Sequence, residues 1–158
     1  KVWHYADDCQ TILDENDILF LNQPPEFLIK KVGSGNVLFS HFVYPSFTAY
    51  VSTFYGEGKK LLGHFDFMHQ NDCKISICGH MHMEGMGIFN APDEGFFSQL
   101  FPGFNYFSFG ERKIKNKVCT ITIPALADNG QVNGFAIWDS NNQSVYAVSL
   151  NTNRRFIL

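Results

Sequence analysis

Two histidines two residues apart, His80 and His82, close the stretch Ile75-Ser76-Ile77-Cys78-Gly79-His80-Met81-His82, and a third, His41, directly follows the apolar run Val37-Leu38-Phe39-Ser40. In extended backbone alternate side chains share a face, so His80 and His82 are expected on one side and Met81 on the other. Imidazole is a common nitrogen ligand for Zn, Mn, Fe and Ni, and two rings on one side can share a metal centre. Gly79 is expected to supply the freedom in φ, and the lack of a side chain, that a sharp strand exit beside an ion requires. Three neutral imidazoles could hold a single Zn and leave one position for a water activated near neutral pH. A two-metal phosphoryl-transfer centre needs more, namely oxygen ligands that hold the ions ~3.5–4 Å apart. Glu84 and Asp66 lie nearest in sequence, but neither is placed by a strand end and both read as surface carboxylates.

Convergence of the three histidines depends on the elements between them. Val37–Ser40 reads as a short strand buried on both faces, and Lys74–Cys78 as another. Between them, Lys59–Asn71 reads as a helix with Leu61, Leu62, Phe65 and Met68 or His69 along one face, stopped at Asn71-Asp72. A strand, a helical crossover and a strand predict parallel pairing. Both strands then finish at one sheet edge, where open α/β sheets bind ligands, and His41 arrives beside His80 and His82. His64 and His69 are about 140° apart on a helix of 3.6 residues per turn and read as solvated or partly packed. His4 is uninformative.

The rest of the chain is expected to build the frame. A helix, or two short ones, runs from Asp7 or Asp8 to about Asn22, with Ile12, Leu13, Ile18, Leu19 and Leu21 in partly helical spacing and Pro24-Pro25 as the stop. Phe27-Leu28-Ile29 leads into the turn Gly33-Ser34-Gly35-Asn36, and Phe42–Glu57 reads as a loop or short cap segment. Gly85–Phe89 starts a further strand. The aromatic segment Phe96–Phe109 is expected to fill core and pack loops rather than form a binding box, despite the 17 phenylalanines of the chain. Val118–Ile123, Gly134–Trp138 and Ser144–Leu150 read as a three-stranded meander, with turns at Asn129-Gly130 and Asp139–Gln143.

At 158 residues and 45% hydrophobic content, the chain suits one domain with a real core. Twelve basic and 15 acidic residues, net −3 and without runs of either sign, argue against a nucleic-acid face or a polybasic membrane patch. No apolar stretch approaches the ~20 residues that cross a bilayer, and Lys1-Val2-Trp3-His4-Tyr5 has no apolar signal core. The missing initiator Met suggests that an upstream segment has been removed. Cys9, Cys73, Cys78 and Cys119 form no Cys-x-x-Cys pair and read as reduced thiols, which leans towards a reducing, cytoplasmic compartment.

Ile77-Cys78-Gly79-His80-Met81-His82 resembles the Gly-His-x-His motif of the calcineurin-like metallophosphoesterases, and Val37-Leu38-Phe39-Ser40-His41 resembles the strand-plus-histidine motif that precedes it. The terminal strands likewise resemble the second sheet of that family. The resemblance implies an α/β fold, a mixed β-sandwich flanked by helices (α/β/β/α). It further implies two divalent ions (Mn, Fe, Zn or Mg), with His41 and His80 on one and His82 on the other. The implied reaction is hydrolysis of a phosphomonoester or phosphodiester, in a phosphorylated small molecule or a phosphoprotein.

The family's Asp-x-His, Gly-Asp-x-x-Asp and Gly-Asn-His motifs do not occur: Asp66-Phe67-Met68-His69 is one residue too long, and Gly35-Asn36 is followed by Val37. Ile123-Pro124-Ala125-Leu126 stands where some branches carry Asn-Pro-Gly-Ser. Residues 1–158 are therefore expected to be the C-terminal portion of one such domain, incomplete without an N-terminal half that carries the remaining ligands and catalytic groups. Two other readings stay open, a mononuclear zinc hydrolase using His41, His80 and His82, and a non-catalytic ligand- or protein-binding module of phosphoesterase ancestry.

Overall fold

The computed structural model describes residues 14–33, 35–47, 61–92, 104–114, 118–126 and 133–150. His4, Cys9, Ile12, Leu13 and the Asn129-Gly130 turn lie outside the described residues. So do residues 48–57 of the expected loop and 96–103 of the aromatic segment.

Helix α1 (Glu15–Asn22) starts at Asp14, whose carboxylate accepts from the backbone N–H groups of Asn16 and Asp17 at 2.7 and 2.9 Å. Asp17 accepts in return from the Asp14 N–H at 3.1 Å, which completes a capping box. The apolar side chains Ile18, Leu19 and Phe20 are exposed and join neither core cluster.

Strands β1 (Phe27–Val32) and β2 (Gly35–Ser40) form an antiparallel hairpin, turned at Gly33 with φ of 60°. Helix α2 (Leu62–Gln70) then crosses to β3 (Cys73–Cys78), which pairs with β2 in parallel as the sequence predicts, Ser40 standing opposite Cys78. The chain continues through β4 (Met86–Asn90), β5 (Phe104–Phe107), β6 (Gly110–Lys113), β7 (Cys119–Thr122), β8 (Gly134–Asp139) and β9 (Ser144–Ser149). Two sheets result, one of six strands in the order β1-β2-β3-β7-β4-β5 and one of three in the order β6-β9-β8.

This corrects the three-stranded terminal meander. Of the three strands expected in it, β8 and β9 pair in the second sheet, whereas β7 lies in the first, parallel to β3 and antiparallel to β4. The third strand of the second sheet is β6, Gly-Glu-Arg-Lys, whose charged residues carry no strand signal of their own. Its carboxylate earns its place by cross-strand bonding: Glu111 accepts from Ser144 Oγ at 2.8 Å and from Tyr146 OH at 3.1 Å.

Two apolar clusters set the layers. On one face of the large sheet Leu38, Cys73, Cys78 and Phe89 pack with Leu61, Phe65 and Met68 of the α2 region. On the other, Met86, Ile88, Cys119 and Ile121 pack with Val145 and Ala147 of the small sheet. Burial on both faces is why β2 and β3 read as largely apolar runs. The described fold is thus mixed α/β, dominated by strands, with α2 as the one described helix that joins a core cluster. Cys73, Cys78 and Cys119 are buried thiols outside any disulfide, and burial pushes Cys119 up to about 12. No helix among the described residues is long and apolar enough to cross a membrane.

Gly134 anchors the small sheet by close approach: a Cβ there would stand 2.3 Å from the Val148 carbonyl oxygen and 2.6 Å from Phe109 Cε1. Gly134→Ala is expected to cost about 1–3 kcal/mol, whereas Gly35→Ala, facing open space, should stay within about 0.5 kcal/mol. Urea denaturation of the two variants checks the contrast; equal midpoints would contradict it.

Candidate metal centre

His41 is the first residue after β2, and Gly79-His80 the first pair after β3. Parallel pairing brings both strand ends to one edge, and the His41 and His80 rings lie 5.6 Å apart between centroids, at 71°. Phe42 packs against both, 4.5 Å from His41 and 4.3 Å from His80, and walls one side of the pair. His41, His80 and His82 all keep solvent exposure.

The local backbone differs from the extended His-x-His that strand alternation predicts. His80 and His82 both have positive φ, 72° and 43°, and the Met81 N–H donates to the Gly79 carbonyl at 3.0 Å, so the segment is a tight turn. Met81 packs inward against the α2-side cluster while both histidines face outward. The exposure of both histidines therefore goes with a turn whose middle residue, Met81, is packed inward. Gly79 acts through its missing side chain, since a Cβ would stand 3.1 Å from His41 Nδ1. Its own φ is not in the left-handed region; the left-handed glycine lies further on, at Gly85 with φ 107°, where a Cβ would overlap the Phe107 carbonyl.

Burial lowers the pKa of His41, and the proximity of His80 and then His82 lowers it further. His80 is lowered by burial and then by His82. His80 and His82 thus act electrostatically on His41, and His82 on His80, and the lowered values favour neutral His41 and His80 rings with a lone pair to donate.

With metal–nitrogen bonds of about 2 Å, two imidazoles on one tetrahedral ion hold their centroids about 5 Å apart, and the His41–His80 spacing is of that size. The donor chemistry and this spacing fit one ion's partial ligand set. Beyond the pair the fit stops: among the described residues no three His, Cys, Asp or Glu side chains close around one point. Asp66 is exposed on α2, and no carboxylate among the described residues joins the histidines as a bridging ligand.

His64 departs most from its sequence reading. It is wholly buried on α2, where the backbone N–H of Tyr44 donates to its Nδ1 at 3.1 Å. The neutral ring's proton is then on Nε2, which donates to Ser76 Oγ at 2.9 Å. Helical spacing showed that His64 and His69 face different ways, but not that loop 41–47 covers one of them; His69 is exposed. Neither Phe42 over the rings nor His64 beneath the loop carried a motif by which sequence reading could find it.

Comparison with protein families, with curated proteins and with solved structures returned no match.

Two pH experiments follow from these environments. In metal-free protein, NMR titration should give His41 and His80 midpoints below the ordinary 6.5, and His82→Ala should move both upward by removing a neighbouring charge; unchanged midpoints would mean that the rings are not coupled. Burial holds His64 down at about 4. Because this folded value lies below the unfolded one, the unfolded chain takes up the proton first as pH falls. Its contribution is complete above pH 6.5 and drains towards pH 4, by about 3 kcal/mol at most. Urea unfolding from pH 7 to 4 should show this slope, reduced in His64→Gln.

Proposed function

We propose that this chain is the C-terminal portion of a metallophosphoesterase-like domain that hydrolyses a phosphomonoester or phosphodiester. In this reading His41 and His80 serve one divalent ion and His82 a second. The observation that carries it is the 5.6 Å contact of the His41 and His80 rings at the shared end of two parallel strands, with His82 coupled to both. The order helix, six-stranded sheet, three-stranded sheet supports the α/β/β part of the sandwich that the resemblance implies.

Bound ions of the Mn, Fe, Zn or Mg type would supply Lewis acidity towards phosphoryl oxygens and acidify water. The chain's own residues supply the rest that can be derived. His41 and His80 offer neutral nitrogen donors, because burial and mutual proximity disfavour their charged forms. Phe42 keeps water from one side of the pair. His82 is exposed at the end of the turn and is open to solvent and to a second ion. Oxygen ligands and a group to assist the leaving oxygen come from polypeptide upstream of residue 1 in this reading, so the 158-residue chain alone should turn over little substrate.

The test is hydrolysis of p-nitrophenyl phosphate and bis-p-nitrophenyl phosphate by the polypeptide encoded together with its upstream sequence. His80→Ala or His82→Ala should lower metal-dependent turnover by at least about a hundredfold while leaving Tm nearly unchanged. Wild-type turnover in either variant removes the assignment. Zinc retained without any turnover in the parent polypeptide would instead favour the binding module.

A further inference from the structure

The segment that carries His41 leaves β2 and folds onto α2. Ring packing holds it there broadly: Tyr44 stacks on Phe67 at 5.4 Å and 19°, and Phe47 lies 4.8 Å from Phe27 and 5.2 Å from Phe67. Such contacts tolerate sliding, whereas hydrogen bonds fix direction. The directional fixing comes from His64, through the bond accepted from the Tyr44 N–H and the bond given to Ser76 Oγ. One imidazole thereby joins α2, a loop position three residues beyond His41, and a strand position two residues before Cys78. Both partners belong to the β2 and β3 arms that end in His41 and His80.

We propose that His64 is a positioning residue: it registers loop 41–47 against β3 and so sets where the His41 ring stands relative to His80. A residue that only filled the core would not need two nitrogens. Burying an imidazole without partners costs about 1–3 kcal/mol, and here each nitrogen has one partner on a different arm of the site. The proposal rests on the reading of His41 and His80 as paired ligands for its significance, but its test needs no metal.

The experiment compares His64→Asn with His64→Gln in the full 158-residue chain. Asn Oδ1 falls where Nδ1 was and can still accept from Tyr44; Gln carries a donor to Ser76 but leaves the Tyr44 N–H without its acceptor. Amide exchange of Tyr44 and the NOE between His41 and His80 ring protons are the readouts. We expect His64→Gln to lose about tenfold in Tyr44 protection and to weaken the ring NOE, with His64→Asn close to wild type in both. A purely structural role would affect the two variants alike, so equal behaviour overturns the proposal, as does wild-type protection with a wild-type NOE in His64→Gln. Should a variant fail to fold, the scalar coupling across Tyr44 N–H···Nδ1 in the wild-type chain decides, and its absence overturns the proposal. These readouts stand apart from hydrolysis: full turnover in His80→Ala would remove the ligand reading and leave the positioning result intact.

Discussion

Parallel pairing of β2 with β3 is the constraint on which the rest depends. Each strand has six residues, a length of about 20 Å at 3.3 Å per residue. Had the two strands run antiparallel, His41 and His80 would stand at opposite ends of the sheet, separated by about that distance. Instead Ser40 stands opposite Cys78 and the next residue of each strand opens the site. The pairing has a physical origin in the crossover: α2 packs on β3 and buries Phe65 and Met68 against the face that Leu38 and Cys78 share. A return along the same direction is what a helical crossover of this kind permits.

What was legible in the sequence was local. The unbroken apolar runs of β2 and β3, the helix between them and the histidines at their ends are signals contained within a few residues, and each appears where expected. Non-local facts were not legible. β7 enters the large sheet between β3 and β4 because Cys119 and Ile121 face the small sheet while Thr120 and Thr122 are buried on the other side. There Thr120 donates to Met68 Sδ at 3.6 Å and Thr122 to the Gly87 carbonyl at 3.2 Å. Nothing local to Val118–Ile123 tells which sheet it joins, and its closeness in sequence to the two strands that follow made the three read as one meander. β6 is the converse case, a charged segment drawn into a sheet by Ser144 and Tyr146 on its neighbour.

The histidines separate the same way. His41 and His80 were legible because strand ends placed them; His64 was not, because a helical wheel gives a residue's direction and nothing of what a distant loop lays over it. The cost of that burial is visible in its pKa of about 4, and the two hydrogen bonds compensate for it.

The turn at the end of β3 joins these two kinds of information. Left-handed backbone at a histidine is uncommon and costs of order 1 kcal/mol per residue, so two such residues flanking Met81 need surroundings that over-determine them. The surroundings are present. The Ile123 N–H donates to the Cys78 carbonyl at 3.0 Å, fixing the strand just before the turn. Met81 is drawn into the α2-side cluster, and Met83 Sδ packs 3.7 Å from Thr122 Oγ1 just after it. With both ends of the turn and its middle held, His80 and His82 are left exposed on either side of the partly buried Met81. The backbone strain at this edge and the exposure of its two imidazoles are consequences of one arrangement, in which the apolar core takes Met81 and leaves the nitrogen donors to the outside.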